Sequence, residues 1–175
     1  MSLTSIQPTF IPTTAPEPPS LQRLISALHM QKHIEGGWFA ETDRAPDTVP
    51  AQWVHTPTPT NDLVPQRPGF DPNIRNSSTS IFYLLTPATP QGGFHRNKGR
   101  TIHTLHRGRG RYVIIHDDED DVVGGEGERG ERGKRIETFV VGQDVEKGEK
   151  LQWVVEGWKY KASFLLPDEE GGRGE

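Results

Sequence analysis

Seven short runs rich in β-branched and aromatic residues, most closed by Gly or Pro, constrain the fold of this chain more than any other feature. They are Trp38–Thr42, Ser78–Thr86 before Pro87, Thr101–His106 before Arg107-Gly108, Arg111–His116 after Gly110, Ile136–Val141 before Gly142, Lys150–Val155 after Gly148, and Tyr160–Leu166 before Pro167. Only one stretch has helical spacing: Leu21, Leu24, Ile25 and Leu28 fall at i, i+3, i+4 and i+7, and Ser20 is placed to cap them. Six or seven short strands behind a single helix predict an antiparallel sandwich or barrel.

The segments between the runs predict the organisation. Residues 1–19 are rich in Pro, Thr and Ser and read as a disordered tail. Residues 45–76 hold prolines at 46, 50, 57, 59, 65, 68 and 72, a density that no central strand tolerates, so a long surface loop is expected. Residues 117–135 are charged and Gly-rich, and read as a disordered hairpin tip. Residues 169–175 read as a solvated tail, which leaves one domain over 20–168.

Composition narrows the chemistry. The 175 residues include no cysteine, which excludes disulfides, zinc–thiolate sites and cysteine nucleophiles. The N-terminus lacks the charged and apolar regions of a secretory signal, and no stretch approaches a membrane span; a cytoplasmic protein is expected. The net charge of −4 hides an asymmetry: Arg96, Lys98, Arg100, Arg107, Arg109 and Arg111 precede the acidic run Asp117–Asp121. The basic residues divide between strand faces and a turn and carry few aromatics for stacking, so a small anionic ligand is expected rather than nucleic acid. The same segment holds His95, His103 and His106, three of the seven histidines.

Four blocks resemble a branch of the cupin superfamily, small jelly-roll proteins similar to dTDP-sugar epimerases. The first is His33-Ile34-Glu35-Gly36-Gly37-Trp38-Phe39-Ala40-Glu41-Thr42-Asp43-Arg44. The others are Ser78 to Pro87, Phe94 to Val113 (FH…IH-x-L-x-RG-x-G-x-YV), and Gly142 to Pro167 (ending QWVV…KASFLLP). The resemblance implies an all-β double-stranded β-helix with one N-terminal helix, and a homodimer. Relatives usually continue beyond KASFLLP into another strand, so an altered sheet edge is expected. Where relatives often read VVPGG, this chain has Val155-Glu156-Gly157-Trp158.

Metal-binding cupins offer H-x-H, a Glu a few residues on, and a His from the second motif. That pattern falls on Gly93, His95, Thr101 and Lys161 or Tyr160, so one ligand of four survives and no metal or other cofactor is expected. The epimerase comparison implies another use for the site, with His95 as base and Tyr160 as proton donor. Basic residues at the mouth, Arg96 and Lys161 among them, would hold a carboxylate or diphosphate. His103, His106 and Trp153 are further candidates for ligand contact, although His103 and His106, three apart on one strand, should face opposite sides. Glu35 is either a ligand anchor or a turn residue capping backbone N–H groups beside Gly36.

The function implied is a small-molecule-binding cupin, with epimerase-like or isomerase-like chemistry on a sugar-derived or other small polar anion. The alternatives are a non-catalytic ligand binder like storage or hormone-binding cupins, and a metal-dependent oxygenase.

Overall fold

The computed structural model describes residues 8–51, 71, 73–120, 122–123 and 132–168. Among the described residues thirteen strands and one α-helix are formed. They cluster into two compact units, one of 1–18, 35–37 and 85–175, the other of 19–34 and 38–84. Among the described residues no helix is long and apolar enough to cross a membrane.

The second of these units opens with helix α1 (Pro19–Ala27). Pro19 supplies the fixed φ that suits a first turn, so Ser20 lies inside the helix rather than capping it. The helix ends in a left-handed residue, His29 (φ 52°). There Met30 N–H donates to Ile25 O and His29 N–H to Ser26 O, the paired bonds that satisfy a helix C-terminus. Strands β1 (Gln31–Lys32), β2 (Trp38–Arg44) and β5 (Thr79–Leu84) form an antiparallel sheet in the order β1-β2-β5. The expected loop 45–76 holds a small ladder, β3 (Thr48–Pro50) with β4 (Ile74–Asn76). Pro50 is tolerated because it ends a short strand with one paired edge. The remaining prolines of that loop, except Pro46, lie outside the described residues.

The first unit is built mainly on two sheets. A four-stranded antiparallel sheet has the order β11-β8-β13-β6, from β6 (Gln91–Arg96), β8 (Arg109–Ile115), β11 (Ile136–Val141) and β13 (Tyr160–Leu166). A second sheet pairs β7 (Thr101–Thr104) with β12 (Gln152–Val155). The two are tied by the bridge between Val141 and Lys150. Period-two alternation divides β8 and β13 between two cores. Tyr112, Ile114 and Val141 pack with Val155 of the smaller sheet, joined by Leu105, Phe139 and Trp153. Val113, Ala162 and Phe164 form a second cluster on the other face.

The region 117–135 carries the short pair β9 (Val122–Val123) and β10 (Arg132–Gly133); residues 124–131 lie outside the description. The segment read as an N-terminal tail is tied down from Thr13 onward. Thr13 N–H donates to Ala88 O, and the Thr86 hydroxyl, fully buried, donates to the Glu17 carboxylate at 2.7 Å.

Strand β6 is bulged against β13. Lys161 pairs with His95 and Ser163 with Gly92, so two residues of β6, Gly93 and Phe94, oppose Ala162 alone. The bulge releases the Gly93 N–H, which donates to Glu35 O at 2.6 Å. That contact seats the Glu35-Gly36-Gly37 turn on β6. Gly36 has φ 101°, and a Cβ there would lie 2.2 Å from Gln91 O. Gly148 has φ 85° but open space around the missing Cβ. Gly36→Ala should therefore cost more than about 3 kcal/mol, against about 1 kcal/mol for Gly148→Ala. Urea unfolding midpoints of the two variants test this; equal losses would show that the turn is not seated on β6.

Candidate functional site

The face of the four-stranded sheet that meets the β7–β12 sheet carries the polar side chains of interest. Lys161 and His95 are cross-strand partners on β13 and β6 and share this face. Thr101 and His103, two apart on β7, turn the same way, with His103 paired to Trp153 of β12.

Lys161 is buried, with 2% of its surface exposed. Its Nζ donates to Thr101 Oγ1 at 2.7 Å. The Thr101 hydroxyl has one proton of its own, with His103 Nε2 at 3.1 Å and Val155 O at 3.4 Å as acceptors. The shorter contact makes His103 Nε2 the acceptor, and Tyr112 Oη stands 3.4 Å from the same nitrogen. This requires His103 to be neutral. Burial first, then the Lys161 and His95 charges, push its pKa down to about 4. Burial also lowers Lys161 to about 8, while Glu35 opposes the shift. The His103 ring stacks on Trp153 at 5.2 Å, and Tyr112 meets Trp153 edge-on at 5.0 Å. Trp153 Nε1 is buried without a hydrogen-bond partner among the described residues.

His95 lies nearer solvent. Its Nδ1 stands 2.9 Å from Gly93 O and 3.1 Å from Glu35 Oε2, and its side chain is 29% exposed. Both neighbours of Nδ1 are acceptors, so that nitrogen carries the proton and a neutral ring presents Nε2 as a base. Glu35 thus serves as turn and partner together, its carbonyl holding Gly93 and its carboxylate orienting His95.

Two residues of the expected set face elsewhere. Tyr160 pairs across the strands with Arg96, on the face opposite Lys161 and His95. The Arg96 guanidinium stacks over Tyr160 at 5.0 Å and Trp158 at 5.5 Å and pairs with Asp117 at 3.2 Å. Tyr160 is therefore not opposed to His95 as a proton donor, and Arg96 is not at its mouth. His106 is exposed beyond the end of β7, which stops at Thr104, so the expected opposition of His103 and His106 on one strand does not arise. Thr101 and Tyr112 were absent from the expected ligand set. Period-two spacing from His103 marks Thr101, and Tyr112 is announced only by its inward register on β8.

Among the described residues one further cluster has metal-like donors: His116, Asp118 and Glu119. Cations already fill it. Lys159 Nζ lies 2.8 Å from Asp118 and 2.9 Å from His116 Nδ1, and Arg135 contacts His116 and Glu119, each at 2.7 Å. Arg135 and Lys159 hold the Glu119 carboxyl down to about 2. This is an ion-pair clasp that joins the residues just after β8 to Arg135 and Lys159.

Comparison with known proteins places this geometry. Residues 22–172 match the family described as cupin superfamily (DUF985). The chain is 42% identical over 173 residues to the uncharacterized protein YML079W of Saccharomyces cerevisiae, covering 97% of this chain and 74% of that protein. Among solved structures, a hypothetical protein from Leishmania major superposes with a TM-score of 0.59 at 23% identity, over 87% of this chain and 73% of that one. Protein SO0799 from Shewanella oneidensis gives a TM-score of 0.53 at 20% identity, over 84% and 70%. The chain belongs to this cupin family and is an all-β cupin jelly roll, with one α-helix among the described residues.

Many cupins hold a divalent metal, and the residues at the corresponding positions do not fit one. Gly93 offers no side chain, the Thr101 hydroxyl is engaged by Lys161, and the Lys161 ammonium occupies the fourth place. His95 is the one ligand of the usual set that remains.

The His103 shift has a measurable sign. The folded protein binds fewer protons than the unfolded chain between pH 4 and 6.5, so this group favours folding above that window, and the contribution is lost as pH falls through it. His103→Gln should flatten the stability profile between pH 6.5 and 4 by about 2 kcal/mol relative to wild type. Urea titrations at both pH values measure the difference; parallel profiles would mean that His103 titrates normally.

Proposed function

We propose that this cupin binds a small anionic molecule between its two sheets, with Lys161 as the charge that holds it. Membership of the cupin superfamily supports a small-molecule-binding protein. The observation that carries the finer reading is Lys161 itself. A buried ammonium normally has a carboxylate partner, yet this one is hydrogen-bonded only to a hydroxyl, and among the described residues it forms no ion pair. Glu35 compensates the charge only in part and from a distance, so the fold bears a desolvation cost that an anionic ligand would relieve.

The Glu35–His95 pair supplies the second half of the reading. With Nδ1 held by Gly93 O and Glu35, His95 Nε2 is oriented to accept a proton from a ligand bound at Lys161. Abstraction of a proton next to a carbonyl would then place the developing oxyanion at the Lys161 ammonium. This is isomerase-like chemistry without Tyr160.

Two variants separate ligand holding from structure. Below pH 8 the Lys161 charge is present and destabilising, and the cost is relieved as pH rises from about 8 toward 10.5. Lys161→Met should raise stability at pH 7 by about 1–2 kcal/mol. The same variant should weaken calorimetric binding of glycolate and of glyceraldehyde 3-phosphate roughly 30-fold or more. His95→Ala should keep binding within a few-fold and abolish exchange of ligand C–H for solvent deuterium, followed by NMR. Undiminished binding by Lys161→Met would falsify the anion site. Tight binding with no deuterium exchange in wild type would favour the non-catalytic alternative.

A further inference from the structure

We propose that Lys161 is also a covalent group: its Nζ condenses with the aldehyde or ketone carbon of a small oxo acid bound between the sheets, forming an imine. This rests on the anion-binding reading of the same interior and deepens it by naming the substrate class.

The geometry supplies what an imine-forming lysine needs. Lys161 lies in the middle of the four-stranded sheet, between β8 and β6, where Ile114 and His95 flank it. Its stem is packed and 2% exposed, so the amine is held in one place and kept from bulk water. Its hydrogen-bond partner, Thr101 Oγ1 at 2.7 Å, is neutral, so no carboxylate stabilises the ammonium by direct contact. A desolvated lysine of this kind is the usual carbonyl nucleophile. With the group lowered to about 8, about a tenth of it is unprotonated at pH 7, against roughly one in a few thousand for an ordinary lysine.

The atoms balance with groups on the page. The Lys161 ammonium gives one proton to His95 Nε2, its cross-strand neighbour. The free Nζ pair forms the C–N bond, the carbonyl π pair moves to oxygen, and a proton passes from nitrogen to that oxygen to give a neutral carbinolamine. His95 returns its proton to the hydroxyl, which departs as water as the nitrogen pair forms the C=N bond, leaving a protonated imine on Lys161 and a neutral His95. The net change is ammonium plus carbonyl to protonated imine plus water, with no oxidant or reductant. A ligand carrying both a carbonyl and a carboxylate suits the site, since the protonated His95 ring can hold the carboxylate as the amine loses its charge.

The test uses the full chain with glyoxylate and sodium cyanoborohydride at pH 7, read by intact mass and peptide mapping. The hydride converts any imine into a stable secondary amine, and each event adds one carboxymethyl group. One early adduct on the peptide bearing Lys161, formed at least tenfold faster than on any surface lysine and absent in Lys161→Arg, supports the proposal. Adducts spread over surface lysines with Lys161 unmodified overturn it. Glycolate, which has the carboxylate but no carbonyl, separates the two levels. If glycolate binds to wild type and glyoxylate leaves Lys161 unmodified, the covalent step falls and the anion site stands. If neither binds, both fall. Should Lys161→Arg fail to fold, glycolate protection of Lys161 from the glyoxylate adduct in wild type supports the proposal, and its absence counts against it.

Discussion

The placement of β13 between β8 and β6 is the constraint on which the rest of the first unit depends. Its seven residues pair on both edges, so each side chain's face is set by two registers at once. Ala162 and Phe164 go to one core, and Lys161 goes to the face that meets the β7–β12 sheet. A slip of one residue would expose that hydrophobic pair to the polar interior and turn the ammonium into the Val113 cluster. The same register that makes the strand stable therefore forces a lysine into the interior.

A buried charge in that position reorganises its surroundings. Thr101 accepts from Lys161 and gives its own proton to His103, which must then be neutral, and stacking on Trp153 holds the imidazole plane. The arrangement occupies the positions from which many cupins present metal ligands, but its polarity is reversed, with a cation from the chain in place of one from solution. Glu35 is kept out of direct ion pairing with Lys161 by its own engagement with His95 Nδ1. Its charge still favours the Lys161 ammonium from a distance, and under the proposed reading an anion from outside the chain would complete the compensation.

The boundaries of β11 and β13 were fully legible, because both are runs dominated by β-branched, aliphatic or aromatic residues and closed by Gly142 and Pro167. Strand β6 was not among the expected runs, because Gly92 and Gly93 interrupt any apolar or β-branched pattern; only the contact with Glu35 shows why a glycine belongs in that strand. The pairing of His95 with Tyr160 failed for a related reason. Which residue of β13 opposes His95 depends on register and on the bulge, and neither can be read from one strand alone. Lys161 and Tyr160 were interchangeable in the linear motif and lie on opposite faces in the fold. Thr86 and Glu17 show the limit of composition, since a Pro-rich opening segment reads as a tail until the buried hydroxyl that receives it is known.

The interior also couples ligand charge to protonation. Lys161 and the ring of His103 cannot both be charged at low cost, because each disfavours the cationic form of the other across Thr101. An anion seated at Lys161 favours the ammonium and relieves the Coulombic pressure on His103, so it binds best where the amine is protonated. A carbonyl compound draws on the opposite form, since only the free amine attacks. Under the proposed reading an oxo acid would meet both demands in sequence: its carboxylate would be drawn in by the ammonium and then pass to the protonated His95 as the amine turns to the carbonyl. A cupin interior built on a lysine beside an oriented histidine would suit a ligand that changes its partner between binding and reaction.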